Sequence, residues 1–241
     1  MVLKNRVGEK FTTKQGYEIE IVEYIDSKNI KVRFEKGHAL VVRMHDIKRG
    51  FIMNPLHPMT YGVGYLGIGE YKTKVNNVST PYYRLWNKVL ERCYSERYQI
   101  KNPTYKNCTI SEEWYNFQNF AKWYEENYIE GFELDKDILV KGNKIYSPET
   151  CCFVPKRINQ LFIKPSNKRN GLPIGVCRVG SKFHAYISEK YLGTFDTPEE
   201  AFEVYKTAKE SYIKEVAEKW RKKIIDRVYQ AMINFQINIT D

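Results

Sequence analysis

The stretch from Gly175 to Phe195 reads GVCRVGSKFHAYISEKYLGTF and predicts three short β-strands joined by two tight turns. In its middle strand, Phe183, Ala185 and Ile187 alternate with polar residues, so one face of the strand is apolar and the other polar. The segment Thr197–Glu200 follows directly as a capping box with proline at the first helical position, which predicts the start of a helix. We therefore expect a three-stranded sheet with a helix on its apolar face and an open polar face.

Positive charge is concentrated around these strands. The chain has 39 Lys and Arg residues against 29 Asp and Glu residues, a formal net charge of +10. Such an excess favours polyanionic partners, of which nucleic acid is the commonest. Between residues 164 and 190 one acidic residue, Glu189, stands against the basic residues Lys164, Lys168, Arg169, Arg178, Lys182 and Lys190. We expect the open face to be basic and free of neutralising carboxylates.

This C-terminal region resembles the DNA-binding domain of the apetala/ethylene-response-factor type. The resemblance rests on the strand pattern, on Tyr191–Phe195, and on Thr197–Ala201 followed by Ala208 and Lys209. It implies that the sheet binds in the major groove of duplex DNA. The residues that would face or approach the DNA are Arg178, Lys182, His184, Tyr186 and Lys190, with Lys168 and Arg169 before the first strand. The alternative is a small α/β domain whose outer face is only solvated.

The N-terminal region alternates strand patterns with polar turns, which predicts a small β-barrel over residues 1–52. It resembles a Src-homology-type barrel, and a DNA-backbone clamp, a protein contact and a structural role all stay open. Residues 53–80 are rich in glycine and proline and predict a linker or extended arm.

The central region, residues 81–165, is predicted to hold two aromatic-rich helices that begin at Pro81 and Ser111, followed by a ββα unit. This region resembles the HNH endonucleases of bacteriophages, particularly the homing type, and with both flanking modules the likeness covers nearly the whole chain. The residues that carry it are Tyr83, Trp86, Arg92, Cys93, Tyr105 through Trp114, Phe117, Phe120, Leu134, Asp135, Tyr146, Ser147, Pro148, Cys151 and Asn159.

The HNH resemblance implies a metal-dependent site on the ββα unit. Asp135 and Asn159 fall at ligand positions for a divalent cation, Mg²⁺ or Mn²⁺, that would stabilise the leaving oxygen. The general-base position falls on Lys136, and a lysine with an ordinary pKa near ~10.4 cannot accept a proton from water at neutral pH. Asp137 could act as the base instead, and Glu133 could complete a metal site. The middle asparagine of the family pattern aligns with Thr150.

Two functions therefore stay open for this bacteriophage-type protein. One is an endonuclease that nicks or cleaves duplex DNA, and the other is an inactive HNH-like DNA-binding regulator. A third alternative is a counter-defence protein that binds a host protein.

The rest of the chain adds four expectations. The sheet and helix are assigned to residues 166–225, and a helical tail at 226–241 could form a homodimer or cover a core. The five cysteines lack CxxC spacing, so we expect reduced thiols without disulfides or zinc. No signal peptide or stretch of ~18–20 apolar residues is present, which predicts a soluble protein in the cytoplasm of a bacterial host cell. In sum, the predicted fold class is α+β.

Overall fold

The computed structural model of the chain describes residues 6–35, 37–162 and 171–241. It is a mixed α+β protein with several small sheets, as predicted. The described residues fall into two compact units. One comprises the residues up to Glu91 together with Glu112–Lys122, and the other comprises Arg92–Ser111 and the residues from Trp123 onward. The second unit holds both the ββα module and the C-terminal sheet.

The N-terminal part of the first unit is an antiparallel meander of β1 (Lys10–Thr12), β2 (Glu18–Asp26), β3 (Asn29–Phe34) and β4 (Ala39–Val42), paired in chain order. The predicted hairpins are confirmed, but the predicted barrel is wrong, because within the described residues β1 and β4 are both edges of an open sheet. A barrel requires its first and last strands to pair, whereas among the described strands β1 pairs only with β2 and β4 only with β3. Instead, helix α1 (Met44–Lys48) covers the apolar face with Met44 and Ile47.

The segment 53–80, expected as a linker or arm, packs against helix α2 (Pro81–Tyr94). It contains a hairpin of β5 (Lys74–Val75) and β6 (Val78–Ser79). Gly64 lies so close to α2 that a Cβ there would meet Leu90 at 2.6 Å and Trp86 at 2.8 Å. The Trp86 indole donates a hydrogen bond of 2.8 Å to the carbonyl of Trp114, and both rings are fully buried.

In the central region α2 begins at Pro81 as predicted, whereas the helix predicted to begin at Ser111 begins at Phe117, after a 3₁₀ turn. Two paired strands and a helix follow as the predicted ββα unit, with one further short strand between the two. The elements after α2 are α3 (Glu96–Lys101), a 3₁₀ turn at Pro103–Tyr105, β7 (Thr109–Ile110), a second 3₁₀ turn at Glu112–Tyr115, α4 (Phe117–Asn127), β8 (Phe132–Asp135), β9 (Ile145–Tyr146), β10 (Cys152–Pro155) and α5 (Lys156–Leu161). Strands β8 and β10 pair antiparallel, while β7 and β9 pair parallel. Phe153 on β10 packs against Trp123 and Tyr124 of α4.

The C-terminal region confirms the prediction from the opening stretch. Strands β11 (Val176–Val179), β12 (Lys182–Ile187) and β13 (Lys190–Phe195) form an antiparallel sheet in chain order, followed by α6 (Pro198–Trp220) and α7 (Asp226–Ile233). The capping box is present, since the Thr197 hydroxyl accepts from the Glu200 backbone N–H and the Glu200 carboxylate accepts from that of Thr197. The sheet and the start of α6 bury Val176, Ala185, Ala201, Phe202 and Tyr205.

Helix α6 contributes to two apolar clusters. Its second half packs against the ββα module and α7 in a second cluster, which we call the shared core. The buried residues of the shared core are Ile138, Cys152, Val154, Ile158, Ile213, Val216, Ala217, Ile224, Val228 and Met232. The tail, expected either to form a homodimer or to cover a core, does cover a core. Val228 and Met232 are buried in the shared core and Ile237 in the cluster beneath the sheet, whereas Ile239 is exposed.

The turn before β11 supplies a test of this packing. Gly175 has a φ of +80°, and a Cβ there would lie 2.1 Å from the Tyr205 ring. We expect Gly175→Ala to lower the free energy of unfolding by about 3 kcal/mol, because it adds a steric clash to a disfavoured backbone conformation. Gly180→Ala is the control, because Gly180 also has a positive φ but has open space around it. Equal losses in chemical denaturation would contradict the packing.

Candidate nucleic-acid interface

The register of the C-terminal sheet determines which side chains share its open face, opposite α6. Cys177 lies opposite His184, and His184 lies opposite Thr194. Because directly opposed residues of an antiparallel pair share a face, the alternation can be followed outward from His184. The open face carries Cys177, Val179, Lys182, His184, Tyr186, Tyr191 and Thr194.

An aromatic cluster occupies the centre of this face. The ring centroids of His184 and Tyr191 are 5.5 Å apart, and those of Tyr186 and Tyr191 are 5.4 Å apart. Tyr191 is 50% exposed, and its hydroxyl shares a hydrogen bond of 2.6 Å with that of Thr194. Such a cluster offers flat apolar surface together with polar groups, which suits contact with bases and sugars. We call it the aromatic platform.

The charges on the sheet differ from the expectation. Lys182 forms an ion pair with Asp196, a carboxylate just after β13 and beyond the window of residues 164–190. The expectation of a face without neutralising carboxylates is therefore wrong. Arg178 lies opposite Phe183, and its guanidinium carbon is 6.0 Å from the centroid of that ring. It therefore lies on the side of the sheet that faces α6.

Lys190 also lies on the side of the sheet that faces α6, because it is paired with Ile187, which packs on the cluster beneath the sheet. Arg178 and Lys190 are exposed at the margins of the sheet, whereas Lys182, His184 and Tyr186 lie on the open face as expected. Side chains two residues apart in a strand share a face, so Arg178 lies on the same face of β11 as Val176, which is buried. Lys168 and Arg169 lie outside the described residues.

Tyr191 and Thr194 are interface candidates that sequence reasoning missed. Tyr191 reaches the open face because the register shifts between Ala185 and Tyr186, which brings Tyr191 opposite Tyr186. The short turn between β12 and β13 is the sequence signal that could have indicated this pairing.

The ββα module positions Asp135 at the end of β8. Its Oδ1 atom accepts hydrogen bonds from the backbone N–H groups of Asp137 and Ile138, at 2.9 and 2.7 Å. Burial and the neighbouring Asp137 carboxylate raise the pKa of the Asp135 carboxyl above its ordinary value. Asp135 therefore has a structural role in closing the turn after β8.

Lys136, at the predicted general-base position, is 9% exposed. Its Nζ donates to Asp137 Oδ2 at 2.9 Å and to the carbonyl oxygen of Asn143 at 3.0 Å. Because this Nζ atom is engaged as a donor to two oxygen atoms, it is not positioned to accept a proton from water.

The remaining expected site residues have local partners. The Asn159 amide donates to Glu133 Oε2 at 3.0 Å. The Thr150 hydroxyl donates to the carbonyl oxygen of Ile145 at 2.7 Å, within the turn that precedes β10. These contacts connect neighbouring elements of the module.

These side chains do not fit a catalytic divalent cation. Mg²⁺ and Mn²⁺ require several free oxygen ligands, whereas the Lys136 ammonium group already occupies Oδ2 of Asp137 and the backbone carbonyl oxygen of Asn143. Among residues 6–35, 37–162 and 171–241, no three His, Cys, Asp or Glu side chains come together in a group that could hold a metal ion. No hydrolytic step through a cation follows from this arrangement.

The five cysteines are free thiols. Cys177 is exposed, whereas Cys93, Cys108, Cys151 and Cys152 are buried. Burial raises the pKa of the Cys93 and Cys151 thiols to about 12.

We expect iodoacetamide to modify Cys177 at least ~100-fold faster than the buried thiols at neutral pH, because alkylation requires an accessible thiolate. Peptide mass spectrometry over time measures the rates, with urea-unfolded protein as the control in which all five react. Comparable rates in the folded protein would contradict this arrangement.

In the described parts of the chain, no helix is long and apolar enough to cross a membrane. Comparison of the chain with protein-family models, with curated proteins and with solved structures finds no match.

Proposed function

We propose that this protein binds duplex DNA in a sequence-dependent manner through the open face of β11–β13, and that its ββα module supports this sheet without hydrolysing DNA. The observation that carries the proposal is the aromatic platform on the open face of a sheet whose other face packs on α6. The formal net charge of +10 agrees with a polyanionic partner. The resemblance to DNA-binding domains of the apetala/ethylene-response-factor type supports the same mode.

A short antiparallel sheet can enter the major groove, where base edges and thymine methyl groups are accessible. In this mode the tyrosines of the aromatic platform contact bases or sugars. Arg178 and Lys190, at the margins of the sheet, are placed to reach phosphates on either side of the groove. Lys182 can exchange its ion pair with Asp196 for a phosphate.

We favour DNA binding without hydrolysis over an endonuclease because of Lys136. A phosphodiester hydrolase of this kind needs a group that takes a proton from water. The Nζ of Lys136 is a hydrogen-bond donor to Asp137 and to the carbonyl oxygen of Asn143, so it offers no acceptor to water. Asp135 uses one carboxylate oxygen for two backbone hydrogen bonds. These residues therefore already serve the folding of the module, which favours a supporting role.

The direct test is a fluorescence-anisotropy titration of labelled duplex DNA in EDTA at several salt concentrations. We expect binding that weakens steeply with salt, since each phosphate contact releases counterions. Absence of binding at low salt would refute DNA binding and leave the alternative of a host-protein partner. In a parallel assay with Mg²⁺ or Mn²⁺, we expect supercoiled plasmid to stay intact. Nicking that disappears in Asp135→Ala would instead establish the endonuclease.

A further inference from the structure

Two acidic residues and one lysine meet at the turn after β8. Asp135 and Asp137 are separated by Lys136, whose ammonium group contacts the Asp137 carboxylate directly. Lys136 also lies close enough to Asp135 to favour its ionised form, while Asp137 opposes it. Two neighbouring carboxylates repel each other, and burial strengthens that repulsion. Burial and the Asp137 carboxylate raise the pKa of Asp135, and the Lys136 ammonium group opposes that rise.

Lys136 supplies its positive charge from inside the fold. The Lys136 side chain is buried, and a lysine is almost never buried unless its charge is paired, as it is here with Asp137. Besides Asp137, its Nζ bonds the carbonyl oxygen of Asn143, seven residues along the chain. The ammonium group thus gathers oxygen atoms from two parts of the loop between β8 and β9, as a bound cation would.

Asn143 completes the same arrangement from the other side. Its amide donates 2.6 Å hydrogen bonds to the carbonyl oxygens of Lys136 and Ile145. Its side-chain oxygen accepts from the backbone N–H of Ile145 at 3.1 Å. These contacts of Lys136 and Asn143 close the loop together with the two backbone hydrogen bonds that Asp135 accepts. Ile138, within this loop, enters the shared core.

We infer that the ammonium group of Lys136 takes the structural place of a divalent cation, pairing with Asp137 and closing the loop to Asn143, so that the ββα module is complete without metal. The inference rests on the proposed function only in treating this module as a non-hydrolysing support. It adds that removing the lysine leaves an oxygen-lined position that a divalent cation can fill.

Thermal unfolding without DNA tests this inference in four proteins: wild type, Lys136→Met, Lys156→Met and Lys136→Met combined with Asp137→Asn. We expect the same Tm for the wild type in EDTA and in millimolar Mn²⁺. Lys136→Met should raise the unfolding equilibrium constant by roughly 100-fold in EDTA, because it leaves a partly buried carboxylate without its partner. The loss of stability should be smaller in the double variant Lys136→Met, Asp137→Asn than in Lys136→Met, because the double variant has no unpaired carboxylate at residue 137. Lys156, an exposed lysine at the start of α5, is the matched control.

Mn²⁺ should raise the Tm of Lys136→Met but not that of Lys156→Met, because a cation that binds only the folded state stabilises it. An increase in the wild-type Tm with Mn²⁺ would overturn the inference, as would a Lys136→Met variant that Mn²⁺ does not stabilise. If Lys136→Met does not fold in EDTA, recovery of its folded circular-dichroism spectrum on adding Mn²⁺ replaces the Tm shift, and lack of recovery counts against the inference. DNA affinity is measured separately, so either proposal can fail without the other.

Discussion

Replacing both Tyr186 and Tyr191 by alanine is expected to weaken duplex-DNA binding by about 100-fold. Truncating one well-packed aromatic residue at an interface costs about 1–2 kcal/mol, and two such residues together reach that factor. The rings contact each other and His184 on the open face of the sheet, so their loss removes most of the aromatic platform. Anisotropy titration with the same labelled duplex measures the change.

The matched control is the double substitution of Tyr186 and Tyr191 by phenylalanine. It keeps the rings and removes only the hydroxyl groups, so we expect most of the affinity to remain. Circular dichroism should show all variants folded, because the core beneath the sheet is built from the other face. If the double alanine variant binds DNA with the affinity of the wild type, the DNA contacts another surface of the protein.

Ile213→Ala is expected to lower the free energy of unfolding by about 3 kcal/mol. Ile213 is fully buried in the shared core, and removing a buried side chain of this size forfeits its burial and leaves a cavity. Because α6 runs without a break from the C-terminal sheet to this core, the loss should appear in one cooperative transition. Urea denaturation followed by circular dichroism measures it.

Lys214→Ala is the control for Ile213→Ala. Lys214 is the next residue of α6 and is exposed, and surface substitutions of this kind change stability by about 0.5 kcal/mol or less. If the two variants lose the same stability, the second half of α6 is not anchored in the shared core.

Features determined by nearby residues could be predicted from the sequence. The capping box at Thr197, the alternation from Phe183 to Ile187 and the ββα order all depend on short stretches, and the structure confirms them. Closure of the N-terminal sheet depends on distant strands, and there the prediction of a barrel was wrong.

The candidate interface shows the same limit. Alternation with Val176 already indicated the face of Arg178, whereas the neutralisation of Lys182 depends on Asp196, which lies just after another strand. The ordinary pKa of lysine already argued against Lys136 as a base. The hydrogen bonds of Lys136 to Asp137 and Asn143 could not be predicted from the sequence, because they depend on the conformation of the folded loop.

Protection of Cys177 by DNA tests the central claim most directly. Cys177 lies opposite His184 on the open face, and it is the exposed thiol among the five. With saturating duplex DNA in EDTA, the account predicts that alkylation of Cys177 slows at least ~10-fold, because bound DNA covers the thiol. An unchanged rate under conditions where DNA is bound would contradict binding through this face.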